Sequence, residues 1–130
     1  MGSQRGMSLS PFIAVLLPAL LVMIGLVVDG GAQAAAANRA ERIAAAAARA
    51  ASDDTAAARL AGGQLNVAHA ITVAQQRVAA ETGVSAQVSV QGGQILVRTK
   101  VVTATTLLNL IGINELTATG SAQAQLTADR

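Results

Sequence analysis

The chain has 130 residues and a net charge of +2, with 52% apolar side chains but 1% aromatic, so its length suits one small domain and an anchor. Alanine supplies much of the apolar count and buries little area per residue, which makes for a thin core. The weak, scattered positive charge and the absence of Trp and Tyr argue against a nucleic-acid partner, and zero Cys excludes disulfides and thiolate chemistry.

Residues 1–8 read as a short cytoplasmic leader containing Arg5. From Leu9 to Val28 the only polar side chain is Ser10 and there is no charge. Twenty helical residues rise about 30 Å, the thickness of a bilayer's hydrocarbon, so residues 9–28 read as a transmembrane helix. Pro11 falls in the first turn, where a missing N–H is tolerated, whereas Pro18 lies mid-span and should kink the helix. Asp29 marks the far side. Arg5 and the amino terminus favour an N-terminus in the cytoplasm, although Arg39 and Arg42 weaken that bias. A rival reading is a cleaved secretory signal peptide, with Ala32-Gln33-Ala34 as its small-residue site.

Gly30-Gly31 suggests a break, and residues 32–61 read as an Ala-rich helix. Arg39, Arg42, Arg49 and Asp53 stack on one face and the opposite face is nearly pure alanine, suited to helix–helix packing in a bundle or filament, or else simply solvated. Ser52-Asp53-Asp54-Thr55 could interrupt this helix.

Residues 64–130 read as a small extracytoplasmic α+β domain. Asn66 is an N-cap for a helix to about Thr82, with Val67, Ile71, Ala74 and Val78 as its buried stripe. The period then becomes two. Val84, Ala86, Val88 and Val90 form one strand face, Gly92-Gly93 a two-residue hairpin, and Ile95, Val97 and Val101 the inner face of a return strand with Arg98 and Lys100 outside. Thr105–Ile113 reads as an apolar turn capping the sheet. A last strand runs from about Leu116 to Leu126, with Gly120 as a break or bulge. The fold class is therefore α+β: a single N-terminal transmembrane helix continuing into Ala-rich helices, then a small three-stranded antiparallel sheet.

No catalytic, cofactor or metal constellation stands out. His69 has no companion ligands at metal spacing, Asp53 and Asp54 point apart on a helix, and the double glycines lack a phosphate-binding context. The expectation is a protein that is not an enzyme.

Arg5-Gly6-Met7-Ser8 leads into an apolar helix containing Leu17-Pro18, which closes on Gly25-Leu26-Val27-Val28-Asp29-Gly30-Gly31 before an Ala/Arg-rich helix. With Thr106–Ile113 and Leu116–Ala122 near the end, this pattern resembles the TadE/TadG-like proteins of bacterial Tad (Flp) pilus systems, particularly actinobacterial forms, over nearly the whole chain. The resemblance implies a pilin-like minor subunit (a pseudopilin) or assembly factor in the cytoplasmic membrane or a cell-surface pilus. Its implied partners are lipid, other pilin-like subunits, the Tad assembly machinery and a prepilin peptidase, which would cut between Gly6 and Met7. The family's usual Glu shortly after the cut, which pairs with a neighbour's terminal amine, is replaced here by Pro11. Two readings from other classes stand beside it: a secreted binding module, and a single-span scaffold of another envelope complex.

Overall fold

The computed structural model describes residues 9–126. Its spine is one helix, α1 (Leu9–Leu60), of 52 residues and roughly 78 Å at ~1.5 Å per residue. Two turns of sequence expected to interrupt it do not. Gly30-Gly31 and Ser52–Thr55 are both helical, so the apolar segment and the Ala-rich segment are one element rather than two. The glycines, each costing about 1 kcal/mol against alanine, are carried as helix between the apolar run that precedes them and the alanine-rich run that follows. Gly62, at φ 84°, ends α1, with the N–H of Gly63 donating to Ala58 O (2.9 Å).

The chain then turns back as α2 (Val67–Ala79), capped by Asn66 as expected: the His69 N–H donates to Asn66 Oδ1 (3.0 Å). The buried stripe of α2 is Ala70, Ala74 and Val78, with Ile71 partly covered; Val67, expected in the stripe, stands at the exposed rim. Three antiparallel strands follow in the order β1 (Val84–Gln91), β2 (Gln94–Ala104) and β3 (Glu115–Gln125). Gly92 and Gly93 both take positive φ, as a tight two-residue hairpin between paired Gln91 and Gln94 requires.

One face of the sheet lies on α1 and α2. Ile95, Val97 and Val101 point inward as the alternation predicts, and so does Thr99, whose hydroxyl donates to Ala40 O (2.7 Å). The alanine face of α1 is occupied from within the chain: Ala36, Ala40, Ala44, Ala47, Ala48 and Ala51 are buried under the sheet and α2, so this face is not free for a filament neighbour. Such small side chains let the α1 backbone approach closely, and Gly120 shows how closely. The β2–β3 register runs unbroken through Thr99 opposite Gly120, so there is no bulge. The glycine is required instead by proximity, since a Cβ there would lie only 2.7 Å from Glu41 Cα and nearer still to the Ala40–Glu41 peptide.

Gly120→Val should therefore force α1 off the sheet and destabilise the head by about 1–3 kcal/mol or more, read as a lowered midpoint in chemical unfolding followed by circular dichroism. Gly30 and Gly31 have open space around a would-be Cβ. Gly30→Ala with Gly31→Ala should raise stability by about 0.5–1 kcal/mol per site in the same measurement, because both positions are helix interior.

Candidate functional site

Between Leu9 and Val28 every residue of α1 except Gly25 is exposed, Val15 at 73%, Leu21 at 66% and Val27 at 75% among them. A helix apolar on all sides buries nothing by folding alone; it calls for lipid or other helices around it. It is the one helix among the described residues long and apolar enough to cross a membrane. Pro11 lies in its first turn and Pro18 inside it, where the missing N–H leaves the Ala14 carbonyl without its usual donor.

The site where this segment meets the head is built around Asp29, which is 1% exposed. The β2–β3 connection arrives alongside α1 and presents three consecutive backbone donors. Thr106 N–H (2.9 Å) reaches Asp29 Oδ1, and Leu107 N–H (3.0 Å) and Leu108 N–H (2.7 Å) reach Oδ2. The carboxylate thereby caps the 3₁₀ turn Leu108–Ile111, whose own N-cap residue, Leu107, supplies no side-chain cap. One helical turn earlier Gly25 lies under the same connection, where a Cβ would come within 3.2 Å of Leu107 Cβ. The connection is closed at its base by Thr105, whose N–H donates to Asn114 O (3.0 Å) and whose hydroxyl donates to Ile113 O. Gly112, at φ 89°, ends the 3₁₀ turn and sends the chain back into β3. Farther up α1, Gln33 donates to Thr117 O (2.9 Å) and Arg39 to Thr82 O (3.0 Å), extending the seam between helix and head.

The three N–H groups set the electrostatics. Thr106 N–H does most to hold the Asp29 carboxyl below its ordinary pKa; burial opposes it, and Leu108 and Leu107 N–H add to the lowering.

The sequence marked Asp29 as a boundary and missed its work as a latch, because its partners lie 77 to 79 positions away. The one local signal is Gly25 and Asp29 at a spacing of four, which puts a gap and an acceptor on one helix face. The expected cap over the sheet is also corrected: Thr105–Ile113 leans on α1 instead, and no residue of the 3₁₀ turn is buried. Gly6 and Met7 lie outside the described residues. Arg98 and Lys100 stand exposed on the sheet's outer face beside Gln87 and Ser121. His69 Nε2 lies 3.1 Å from Asp54 Oδ2, a surface contact between α2 and the end of α1 worth at most about 1 kcal/mol.

Asp29→Asn keeps the shape but loses the charge and half the acceptors. It should speed amide hydrogen exchange at Thr106, Leu107 and Leu108 while β2 and β3 stay protected. A depressed folded pKa contributes stability that is fully present above the unfolded value, about 3.9, and is lost as pH falls through the folded value. Acidification below pH ~4 should therefore release the same three amides in the wild type, and pH changes between about 6 and 8 should not.

Comparison with known proteins matches residues 6–64 to the family described as "Putative Flp pilus-assembly TadE/G-like". No curated protein matches the chain, and no solved structure does. The match covers all of α1 and stops before α2, so the later stretches Thr106–Ile113 and Leu116–Ala122 that entered the resemblance lie outside it. Residues 6–64 are thus similar to that family of Flp pilus-assembly proteins, a likeness that covers just under half of the chain.

Proposed function

We propose that this chain is a non-enzymatic, minor-pilin-like component of a Tad-type pilus, held in the bacterial cytoplasmic membrane by Leu9–Val28 with its head on the extracytoplasmic side. The observation that carries the reading is the continuity of α1: the exposed apolar half and the head's own spine are a single helix. A helix of this kind can be stored in lipid and moved sideways into a filament of like helices, since both surroundings cover its apolar surface. Pilin-like subunits, the Tad assembly machinery and a prepilin peptidase acting between Gly6 and Met7 are the partners this reading requires.

The secreted-module reading is disfavoured by Asp29. A cut after Ala34 would remove the carboxylate that caps the 3₁₀ turn and Gln33, which holds Thr117, leaving three backbone donors of the head without their acceptor.

Deleting the gene from its native host should abolish Tad pili, and full-length protein supplied in trans should restore them while pelleting with membranes through an alkaline wash. Intact mass from that host should give a chain starting at Met7; a start near Ala35 would refute the anchor. Pro11→Glu should leave membrane insertion intact, because a charge at the helix end reaches the interface, whereas one at mid-bilayer costs about 2.5–3.5 kcal/mol. Loss of insertion in that variant would place the first turn deeper than the interface.

A further inference from the structure

The 3₁₀ turn and the residue just past its Gly112 cap carry apolar side chains that the head leaves exposed: Leu110 is 80% exposed, Ile111 73% and Ile113 42%. Their height along α1 is fixed. Leu107 rests on Gly25, which lies about 6 Å below Asp29 and so inside the last turn of the apolar segment. From Val101 to Asn114 the chain has no charge, with Lys100 and Glu115 bracketing the stretch.

Most backbone N–H groups of the turn find partners within the protein. Thr106, Leu107 and Leu108 N–H are taken up by Asp29, and Thr105 N–H by Asn114 O. Leu110 N–H goes to Leu107 O, Gly112 N–H to Asn109 O and Ile113 N–H to Leu108 O. A surface loop in water has no need of this, because water serves its donors. A loop against hydrocarbon does need it, because each unsatisfied group there costs several kcal/mol.

We propose that Thr105–Ile113 is a second membrane contact, in which Leu110 and Ile111 enter the boundary between headgroups and acyl chains of the leaflet beneath the head. The inference rests on the anchor reading above and deepens it: the protein touches lipid at two points, held in fixed relation by the Asp29 latch. Side chains inserted this way sit about 5–10 Å into the headgroup and acyl region, which agrees with Leu107 beside Gly25. The lipid surface is favoured over a second copy of the chain by continuity, since the turn adjoins the segment that lipid surrounds and shares its lack of charge.

The chain has no tryptophan, so single-tryptophan variants report position directly. Full-length Ile111→Trp, Leu21→Trp and Gln75→Trp would be reconstituted in phosphatidylcholine vesicles containing lipids brominated near the headgroup or deep in the acyl chain. Ile111→Trp is expected to lose several-fold in emission to the shallow bromines, Leu21→Trp to the deep ones and Gln75→Trp to neither. If Leu21→Trp is quenched while Ile111→Trp is not, the inference falls and the anchor stands. A blue-shifted but unquenched Ile111→Trp would mean that a protein surface covers the turn, and would also overturn it. If Leu21→Trp escapes quenching, the anchor reading fails and this inference with it. Because tryptophan itself favours the interface, Asn109→Trp would be read with and without Leu110→Ser and Ile111→Ser. Quenching that drops in the double-serine background supports the inference, and quenching that persists refutes it.

Discussion

The nearness of the α1 backbone to the sheet is the constraint on which the rest of the molecule depends. With no Trp or Tyr and Phe12 its single aromatic, the chain cannot fill a wide gap between helix and sheet. It closes the gap instead. Alanines on α1, Gly120 on β3 and a hydroxyl from Thr99 bring main chain against main chain, so that much contact is gained from small groups at packing distance. Among the described residues, large buried apolar bulk comes from a short set, with Ile95 and Val97 fully enclosed and Val78, Val101 and Leu126 nearly so. A core of this kind tolerates little at its closest points, because backbone cannot rotate aside as a side chain can.

The seam between helix and head is polar at intervals. Asp29, Gln33, Arg39 and Ser52 each reach a main-chain group of the sheet or of the connections that flank it, at positions spread along more than six turns of α1. These bonds are directional where alanine contacts are not, and they set the register in which the helix lies on the strands. Asp29 has the largest share, since its two oxygens serve three donors at the place where the head meets the apolar segment.

Much of the architecture was legible because it rests on local patterns. Period-two alternation located the strands, Gly92-Gly93 the hairpin, Asn66 the start of α2, and the uncharged run the apolar helix. What the residues concealed depends on distant partners. Gly30-Gly31 reads as a break when judged alone, yet it is helical between the apolar run before it and the alanine-rich run after it. Gly120 reads as a fault in a strand until the helix lying across it is known, and Thr99 reads as an outlier in an apolar face until Ala40 O is placed beneath it. Asp29 is the clearest case: a carboxylate after an apolar run has the ordinary meaning of a membrane boundary, and only the fold brings three amides to it. The pilus-assembly resemblance was readable from residues that lie within 6–64, where the family match falls.

An unbroken α1 has a mechanical consequence. A helix that runs unbroken from the apolar half into the head transmits its angle, so whatever sets the inclination of the segment around Gly30-Gly31 also aims the head. In the proposed membrane placement the apolar stretch adjusts to bilayer thickness chiefly by leaning, and with α1 continuous through Gly30-Gly31 the head leans with it. Thinner or thicker lipid would swing the hairpin tip through an arc, and a change from lipid to packed helices around the lower half would redirect it again. The orientation of the head is thereby a readout of what surrounds the other end of the molecule.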